Sequence, residues 1–343
     1  MPLKVIAEED IGSLVAHLMG SYEVVGAQRK DGRYAFGRLN APEDLALEYP
    51  ITILPPKKYL FPQRDVLLHY RLKPDIQVEP VLEARPRVLF GLHPCDIHAT
   101  WLLDAAFTSE NTDDYYTARR NGAIIVGLDC AQPCDEYSFC RSMETWNADS
   151  EGYDLFLTPV TGGYIVDVST PKGQAILTEW GKARETGYDD RVKLRAFQRH
   201  KEEVFPTPLE ANVHDLPNIL GRSWNSLLWD VLGERCLACG TCNLVCPTCY
   251  CFDVRDEVDL SLVEGERYRV WDSCQLEGFA KVGTGENFRE SRAFRQRHRF
   301  YRKEKYLYEK YGRTACVGCG RCARQCLAKI NPVEVYNQLK WGE

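Results

Sequence analysis

Two buried strands give the clearest hydrophobic pattern in the first half of the chain. Continuous apolar runs at residues 87–92 and 123–128 are typical of strands inside an α/β sheet. Between them, residues 96–107 begin with an aspartate suited to capping and continue with helical spacing, which predicts a helix. A strand, a helix and a strand in this order indicate an α/β domain.

Shorter patterns complete this domain. Apolar residues at helical spacing, from Ile11 to Leu18, predict a short helix near the start. The predicted strands lie at 22–27, 33–39, 153–158 and 163–168, and the predicted helices at 172–186 and 190–204. The segment 49–72 contains four prolines and is predicted to be irregular.

A proline-containing stretch at 205–210 predicts a domain boundary. We therefore expect an α/β domain at residues 1–206 and a second domain at 207–343 that begins with a helix at 216–232. Two cysteine runs in the second domain are separated by 70 residues, from Cys246 to Cys316. This long connection favours a mainly helical (alpha-helical ferredoxin-like) domain over a compact β-rich ferredoxin. The expected fold class is α+β or α/β.

Composition narrows the class of protein. The 343 residues are 44% hydrophobic and 27% charged, with a net charge of −6, and they contain no apolar run long enough to predict a membrane span. Residues 1–10 show no apolar core of a signal peptide, so we expect a cytoplasmic protein. In a reducing cytosol, fifteen cysteines indicate metal ligation rather than disulfides. The mildly acidic charge gives no general reason to expect a nucleic-acid partner.

The two runs carry the strongest chemical signal. Each has the spacing C-x2-C-x2-C-x3-C of bacterial two-cluster ferredoxins. If the fourth cysteines cross over as in those proteins, one [4Fe-4S] cluster is held by Cys236, Cys239, Cys242 and Cys326, and the other by Cys316, Cys319, Cys322 and Cys246. Structural zinc is the alternative, but zinc sites normally use two C-x2-C pairs for each metal. Gly240, Gly318 and Gly320 lie where a backbone wrapped around a cube needs residues without a β-carbon.

A third set of cysteines lies in the N-terminal domain: Cys95, Cys130, Cys134 and Cys140. Cys95 and Cys130 follow the two buried strands, and ligand sites in open α/β sheets gather at the carboxyl ends of strands. The set predicts a third [4Fe-4S] cluster, with zinc as the second candidate metal. Buried free cysteines remain the alternative, because the spacing C-x3-C-x5-C is not a standard motif.

Three cysteines stay unassigned: Cys249, Cys251 and Cys274. They could be alternate ligands or small buried residues that pack beside a cluster. The basic stretch 287–305 also has more than one interpretation. It could offset the negative charge of a cluster, dock an acidic partner or form a solvated helix face, and nucleic acid is the weakest of these options.

Gly283-Thr-Gly285 is a weak match to a dinucleotide-binding motif because no strand precedes it, so flavin and nicotinamide are expected on another chain.

Several segments together resemble a family that includes the β subunit of cytoplasmic sulfhydrogenases and the 4Fe-4S dicluster subunit of anaerobic sulfite reductase. These segments are Cys236 to Val254, Trp271 to Cys274, Asn287 to Arg299, Cys316 to Cys322, Gly91 to Asp96 and Tyr115 to Arg120. The resemblance implies an iron-sulfur protein that passes single electrons between two partners. One partner is a subunit that binds FAD and NAD(P)H, and the other is a catalytic subunit, either a nickel-iron hydrogenase or a sirohaem sulfite reductase. It implies no substrate site on this chain alone.

Two other classes remain open at this stage. A self-contained iron-sulfur oxidoreductase would bind substrate at the N-terminal cluster and turn over without partners. A zinc-binding scaffold or nucleic-acid-binding protein would be colourless, whereas thiolate-to-iron charge transfer would give a brown solution.

Overall fold

The computed structural model describes residues 3–149 and 151–342. Met1, Pro2 and Glu343, at the ends of the two predicted domains, and Ser150 lie outside the described residues. The strands of the described chain are β1 (Leu3–Ala7), β2 (Glu23–Lys30), β3 (Arg33–Arg38), β4 (Arg64–Arg71), β5 (Gln77–Pro80), β6 (Arg87–Leu92), β7 (Ala123–Leu128), β8 (Leu155–Val160), β9 (Gly163–Val168), β10 (Arg184–Glu185), β11 (Phe252–Val258) and β12 (Glu264–Trp271).

The helices are of ordinary length in the first half of the chain and short near the cysteine runs. They are α1 (Ile11–Met19), α2 (Pro94–Thr108), α3 (Asp114–Gly122), α4 (Pro171–Trp180), α5 (Tyr188–Val204), α6 (Leu216–Arg222), α7 (Leu228–Arg235), α8 (Thr241–Leu244), α9 (Arg292–Tyr301), α10 (Leu307–Tyr311), α11 (Arg321–Arg324) and α12 (Pro332–Trp341). A π-helical turn at Arg302–Tyr306 joins α9 to α10.

An eight-stranded sheet organises the first half of the chain. Its order is β10-β1-β9-β8-β7-β6-β2-β3, and β8, β7, β6 and β2 form a parallel centre. The central strands β6 and β7 are almost wholly buried, as their continuous apolar sequences predicted. Their carboxyl ends lie side by side because the two strands are parallel neighbours. The large sheet with its helices confirms the predicted α+β class.

Sequence signals explain where several helices begin. The side chain of Asp113 accepts a hydrogen bond from Tyr116 N at 2.8 Å before α3, and Ser291 does the same for Phe294 N at 3.1 Å before α9. Thr170 caps α4, and Pro171 occupies its first turn, where no backbone N–H is needed.

Three predicted elements were wrong in extent. The helix predicted at 172–186 ends at Trp180, because Gly181 adopts φ +75° and terminates it. The helix predicted at 216–232 is divided into α6 and α7, with the Ser223 hydroxyl bonded to Ile219 O at 2.7 Å at the break. The proline-containing segment 49–72 includes the strand β4.

A second sheet lies between distant parts of the chain. Its order is β11-β12-β4-β5, so β12 pairs with a strand about 200 residues earlier. The connection between the cysteine runs is therefore not helical throughout, because β11 and β12 form an antiparallel hairpin. The buried carboxylate of Asp65 on β4 accepts from Arg269 Nε at 2.9 Å and Arg119 Nη1 at 3.0 Å, which ties both sheets together.

The predicted division of the chain near residue 206 stays a prediction. The four-stranded sheet takes strands from both sides of that position. In the described part of the chain, the search for a helix long and apolar enough to span a membrane finds none.

Candidate metal centres

The two cysteine runs have the same local backbone design. In the first run Gly240 adopts φ +76° and is followed by the one-turn helix α8, and in the second Gly320 adopts φ +72° and is followed by α11. Left-handed backbone is accessible to glycine at little cost, so each run can turn sharply between its second and third cysteines. The helices α8 and α11 contact each other, which brings the runs together.

Each run shares a cavity with the last cysteine of the other. The first cavity is lined by the cysteines Cys236, Cys239, Cys242 and Cys326, together with Cys322. The second cavity is lined by Cys246, Cys316, Cys319 and Cys322. The structure therefore brings together both crossed sets of four thiols. The assignment of these thiols as cluster ligands stays a prediction.

Hydrogen-bond donors point at the sulfur atoms of both cavities. In the first, the amide nitrogen of Gln296 lies 2.9 Å from Cys236 Sγ, and the backbone N–H of Ala238 donates to the same sulfur at 3.3 Å. In the second, Lys303 Nζ donates to Cys246 Sγ at 3.2 Å. Donors of this kind stabilise thiolate ligands and raise the potential of a cluster. The surroundings thus fit the chemistry of an anionic iron-sulfur group.

Burial governs the protonation of most of these thiols. Burial raises the pKa of Cys242 and of Cys316 above the usual range, and raises that of Cys319 to about 12. In contrast, hydrogen bonding to Thr241 lowers the pKa of the exposed Cys239. The buried thiols are neutral without metal, so metal binding would release protons.

The basic stretch 287–305 contributes two kinds of surface. Arg295, Gln296 and Arg299 on α9 are buried, and Arg299 lines both cavities. Arg297 instead faces outward and stacks on Trp224, with its guanidinium carbon 3.8 Å from the ring centroid. The stretch is therefore in part a lining of the cavities and in part a solvated face.

The four N-terminal cysteines gather beyond the carboxyl ends of β6 and β7. Cys95 lies in the first turn of α2, and Cys130 comes two residues after β7. Cys134 interacts electrostatically with Cys95, Cys130 and Cys140, so the four side chains form one group. Burial raises the pKa of Cys134 to about 12 and that of Cys140 to about 11. Whether the group holds a third cluster stays a prediction.

The histidines near Cys95 have separate roles. His93 is buried and stacks on Tyr49 at 4.2 Å between ring centroids, and burial lowers its pKa to about 4. His98 instead contacts the carbonyl of Asn147 through Nε2 at 2.7 Å. Across residues 3–149 and 151–342, no group of three or more His, Cys, Asp or Glu side chains is arranged to hold a single metal ion.

The N-terminal cysteine group lies directly against the second run. Cys95 packs with Cys319 and Val317 in one apolar cluster. Beside it, Arg321 makes two hydrogen bonds to the Asp96 carboxylate, at 2.6 and 2.8 Å, and both side chains are 1% exposed. The N-terminal cysteines, the second cavity and the first cavity are therefore consecutive neighbours.

Sequence reasoning missed several residues around these cavities. The structure brings Cys249, Cys251 and Cys274 together around a third thiol-lined cavity. It also places the buried Lys57 there, with Nζ 2.6 Å from the carbonyl of Cys249. The crowding of Cys249 and Cys251 after Cys246 was a usable signal, but nothing in the sequence marks Lys57, which is 192 residues away from Cys249.

Comparison with known proteins agrees with the cysteine pattern. Residues 235–330 match the family model described as a 4Fe-4S dicluster domain, which covers both runs. The chain is 36% identical over 324 residues to the sulfhydrogenase 2 subunit beta of Pyrococcus furiosus, covering 93% of this chain and 92% of that protein. No solved structure gives a significant match. The C-terminal region thus carries [4Fe-4S] clusters.

Proposed function

The chain belongs to the family of the sulfhydrogenase β subunit and is an iron-sulfur electron-transfer protein, and we propose that it relays single electrons within a multisubunit complex. In this proposal one partner is a subunit that binds FAD and NAD(P)H. The other is a catalytic subunit, for which nickel-iron hydrogenase is the first candidate and sirohaem sulfite reductase the second. The bound clusters supply one-electron transfer, and the protein supplies spacing, charge and docking surfaces.

The observation that carries this proposal is the row of adjacent thiol-lined sites. Cys322 and Arg299 line both C-terminal cavities, and Cys319 of the second packs near Cys95 of the N-terminal group. One end of the row is the exposed Cys239. The other end adjoins a cavity of about 580 Å³ lined by Cys130 and Cys134 at the carboxyl edge of the large sheet. A row that reaches two separate surfaces suits a relay between two partners.

The residues between these ends protect and position the sites. Phe139 and Tyr336 line the second cavity and exclude water from it. The Tyr336 hydroxyl donates to Glu304 Oε1 at 2.8 Å, and burial raises the pKa of Glu304 to about 8. This carboxyl group is therefore neutral at neutral pH and adds no negative charge beside the thiols.

The relay is tested with Cys239→Ser in the complete complex, purified anaerobically. We expect loss or conversion of one cubane signal and a loss of NAD(P)H-linked activity of more than tenfold, because the variant lacks one of four ligands. Leu237→Ala, at an exposed position of the same loop, is the control and should keep wild-type activity. Wild-type transfer by Cys239→Ser with an unchanged cluster signal would refute the ligand assignment.

The N-terminal cluster and the catalytic partner need separate measurements. Cys95→Ala and Cys134→Ala should each lower the iron content by about four atoms per chain. Unchanged iron in both variants would show that this site does not exist. Nickel in the co-purified complex identifies a hydrogenase partner, whereas the absorption of sirohaem identifies a sulfite reductase. Turnover of a substrate by the isolated chain would instead favour a self-contained oxidoreductase.

A further inference from the structure

Cys249, Cys251 and Cys274 surround a cavity of their own, and we propose that they hold a further iron-sulfur cluster through three thiolates. Cys249 and Cys251 follow the first run, and Cys274 follows β12. Cys251 lies within hydrogen-bond reach of both other thiols. The three side chains line the cavity together with Asn243 and Lys303.

Two amide groups donate to one of these sulfur atoms. The Asn243 amide nitrogen lies 2.9 Å from Cys274 Sγ, and the Gln275 amide nitrogen lies 3.6 Å from it. A neutral thiol is a weak acceptor, whereas a thiolate or a metal-bound sulfur accepts well. The contact of Gln296 with Cys236, a ligand in our first predicted set, has the same form and the same 2.9 Å length. Cys274 is therefore surrounded like a cluster ligand.

The charges around the cavity require an anionic occupant. Within the described chain no Asp or Glu lines this cavity, whereas Arg299, Arg302 and Lys303 do. Lys57 adds a fourth cation, which is 4% exposed and lies 4.1 Å above the centroid of the Trp271 ring. Buried cations need negative partners, and the ionisable partners that favour charged Lys57 are Cys249, Cys246 and Cys251. Thiolates that bind a cluster would supply that charge.

The cavity matches the other two in construction. Arg299 lines all three, and each combines cysteine sulfur atoms with buried cations. A chain that already carries [4Fe-4S] clusters makes an iron-sulfur group the most economical occupant. With three cysteines for a cubane, one iron takes a ligand other than cysteine. This inference does not depend on which catalytic subunit the complex contains.

The test compares iron and acid-labile sulfide in whole chains purified anaerobically within the complex. Cys274→Ala and Cys249→Ala should each lose about four iron atoms, while the spectra of the other clusters persist. Ser273→Ala, a buried neighbour without a thiol, should keep the full content. Combined with Cys134→Ala, the losses should add, because the two sites share no ligand.

A second measurement does not depend on how well the Cys274 variant folds. If the site exists, Cys134→Ala alone should retain about twelve iron atoms, four more than the two runs require. About eight atoms in that variant would overturn the proposal. The proposal also fails if peptide mapping finds Cys251 in a disulfide with Cys249 or Cys274, or if iron is unchanged in both the Cys249 and Cys274 variants.

Discussion

The second cysteine run repeats the first 80 residues further along the chain, but the corresponding positions have different neighbours. Cys239 is exposed, whereas its counterpart Cys319 is buried. Leu237 is 59% exposed, whereas its counterpart Val317 is 4% exposed. The first run therefore lies at the surface, and the second is enclosed by the N-terminal half of the chain.

Two further pairs of positions show how the sequence produces this difference. Ala238 adopts φ +52°, and its counterpart Gly318 adopts φ +62°. A β-carbon on Gly318 would lie 2.6 Å from the backbone of Cys140, so only glycine fits. Thr241 corresponds to Arg321, which forms the buried ion pair with Asp96. The cysteine spacing sets how a cluster is held, and the residues between the cysteines set where each run sits.

The largest stability effect is expected from the buried ion pair. Asp96→Ala leaves the Arg321 guanidinium buried without its anion, which should lower the free energy of unfolding by about 3–5 kcal/mol. Thr241→Ala in the first run should change it by less than about 1 kcal/mol. Anaerobic denaturant unfolding followed by circular dichroism measures both. If the two variants unfold at the same midpoint, the difference between the runs does not depend on this ion pair.

The next effect concerns the close approach of the backbone at Gly318. Gly318→Ala should cost about 3 kcal/mol, because it combines overpacking against Cys140 with a left-handed conformation. The reverse change in the first run, Ala238→Gly, should alter the free energy of unfolding by less than about 1 kcal/mol. The same unfolding experiment measures both, together with the iron content of each variant. A well-folded Gly318→Ala protein with full iron would contradict the tight junction.

A smaller effect should separate the potentials of the two clusters. Lys303→Met removes a charged donor from Cys246, and a loss of about 1.4 kcal/mol corresponds to roughly 60 mV for a one-electron couple. Gln296→Met removes a neutral donor from Cys236 and should lower the other potential by about half as much. Redox titration followed by electron paramagnetic resonance measures both shifts. Equal shifts, or a rise in potential, would show that the donors do not tune the clusters in this way.

The smallest effect is a dependence on pH near the first run. Burial lowers the pKa of His298 on α9 to about 4, from 6.5, and the neighbouring Arg289 and Arg302 act in the same direction. The folded chain thus keeps His298 neutral where the unfolded chain would bind a proton. Its contribution to stability is complete above pH 6.5 and is lost progressively as the pH falls towards 4.

The expected loss is less than about 1.4 kcal/mol for each pH unit. His298→Gln should remove this slope when denaturant midpoints are compared between about pH 7 and about pH 5. Parallel pH profiles for the two proteins would contradict the role of His298. Because α9 packs against α7, which leads into Cys236, acid should affect the first run before the second.

The sequence predicted those features that depend on neighbouring residues. The crossed sets of cysteines could be written from spacing alone, because three ligands of each cavity lie within seven residues. The strands β6 and β7 were equally clear, since their apolar sequences are continuous. In both cases a short segment contains the physical information.

Other features depend on residues that meet only in the folded chain. The strand β4 was missed because its pairing partner β12 is about 200 residues away. Lys57 reaches its cavity from a proline-rich loop that carries no metal-binding pattern. The grouping of Cys274 with Cys249 and Cys251 required the β11-β12 hairpin, which returns the chain to the end of the first run. Patterns of period or spacing do not record such meetings.

The crossed thiol sets also constrain the biogenesis of the protein. The first cavity needs Cys326, and the second needs both Cys246 and the run that begins at Cys316. A ribosome must therefore release almost the whole chain before either cavity has its four thiols. The strand β12 meanwhile finds β4 already synthesised, so the N-terminal half can serve as a template for the segment between the runs. Cofactor insertion in this chain is consequently a late, post-translational event.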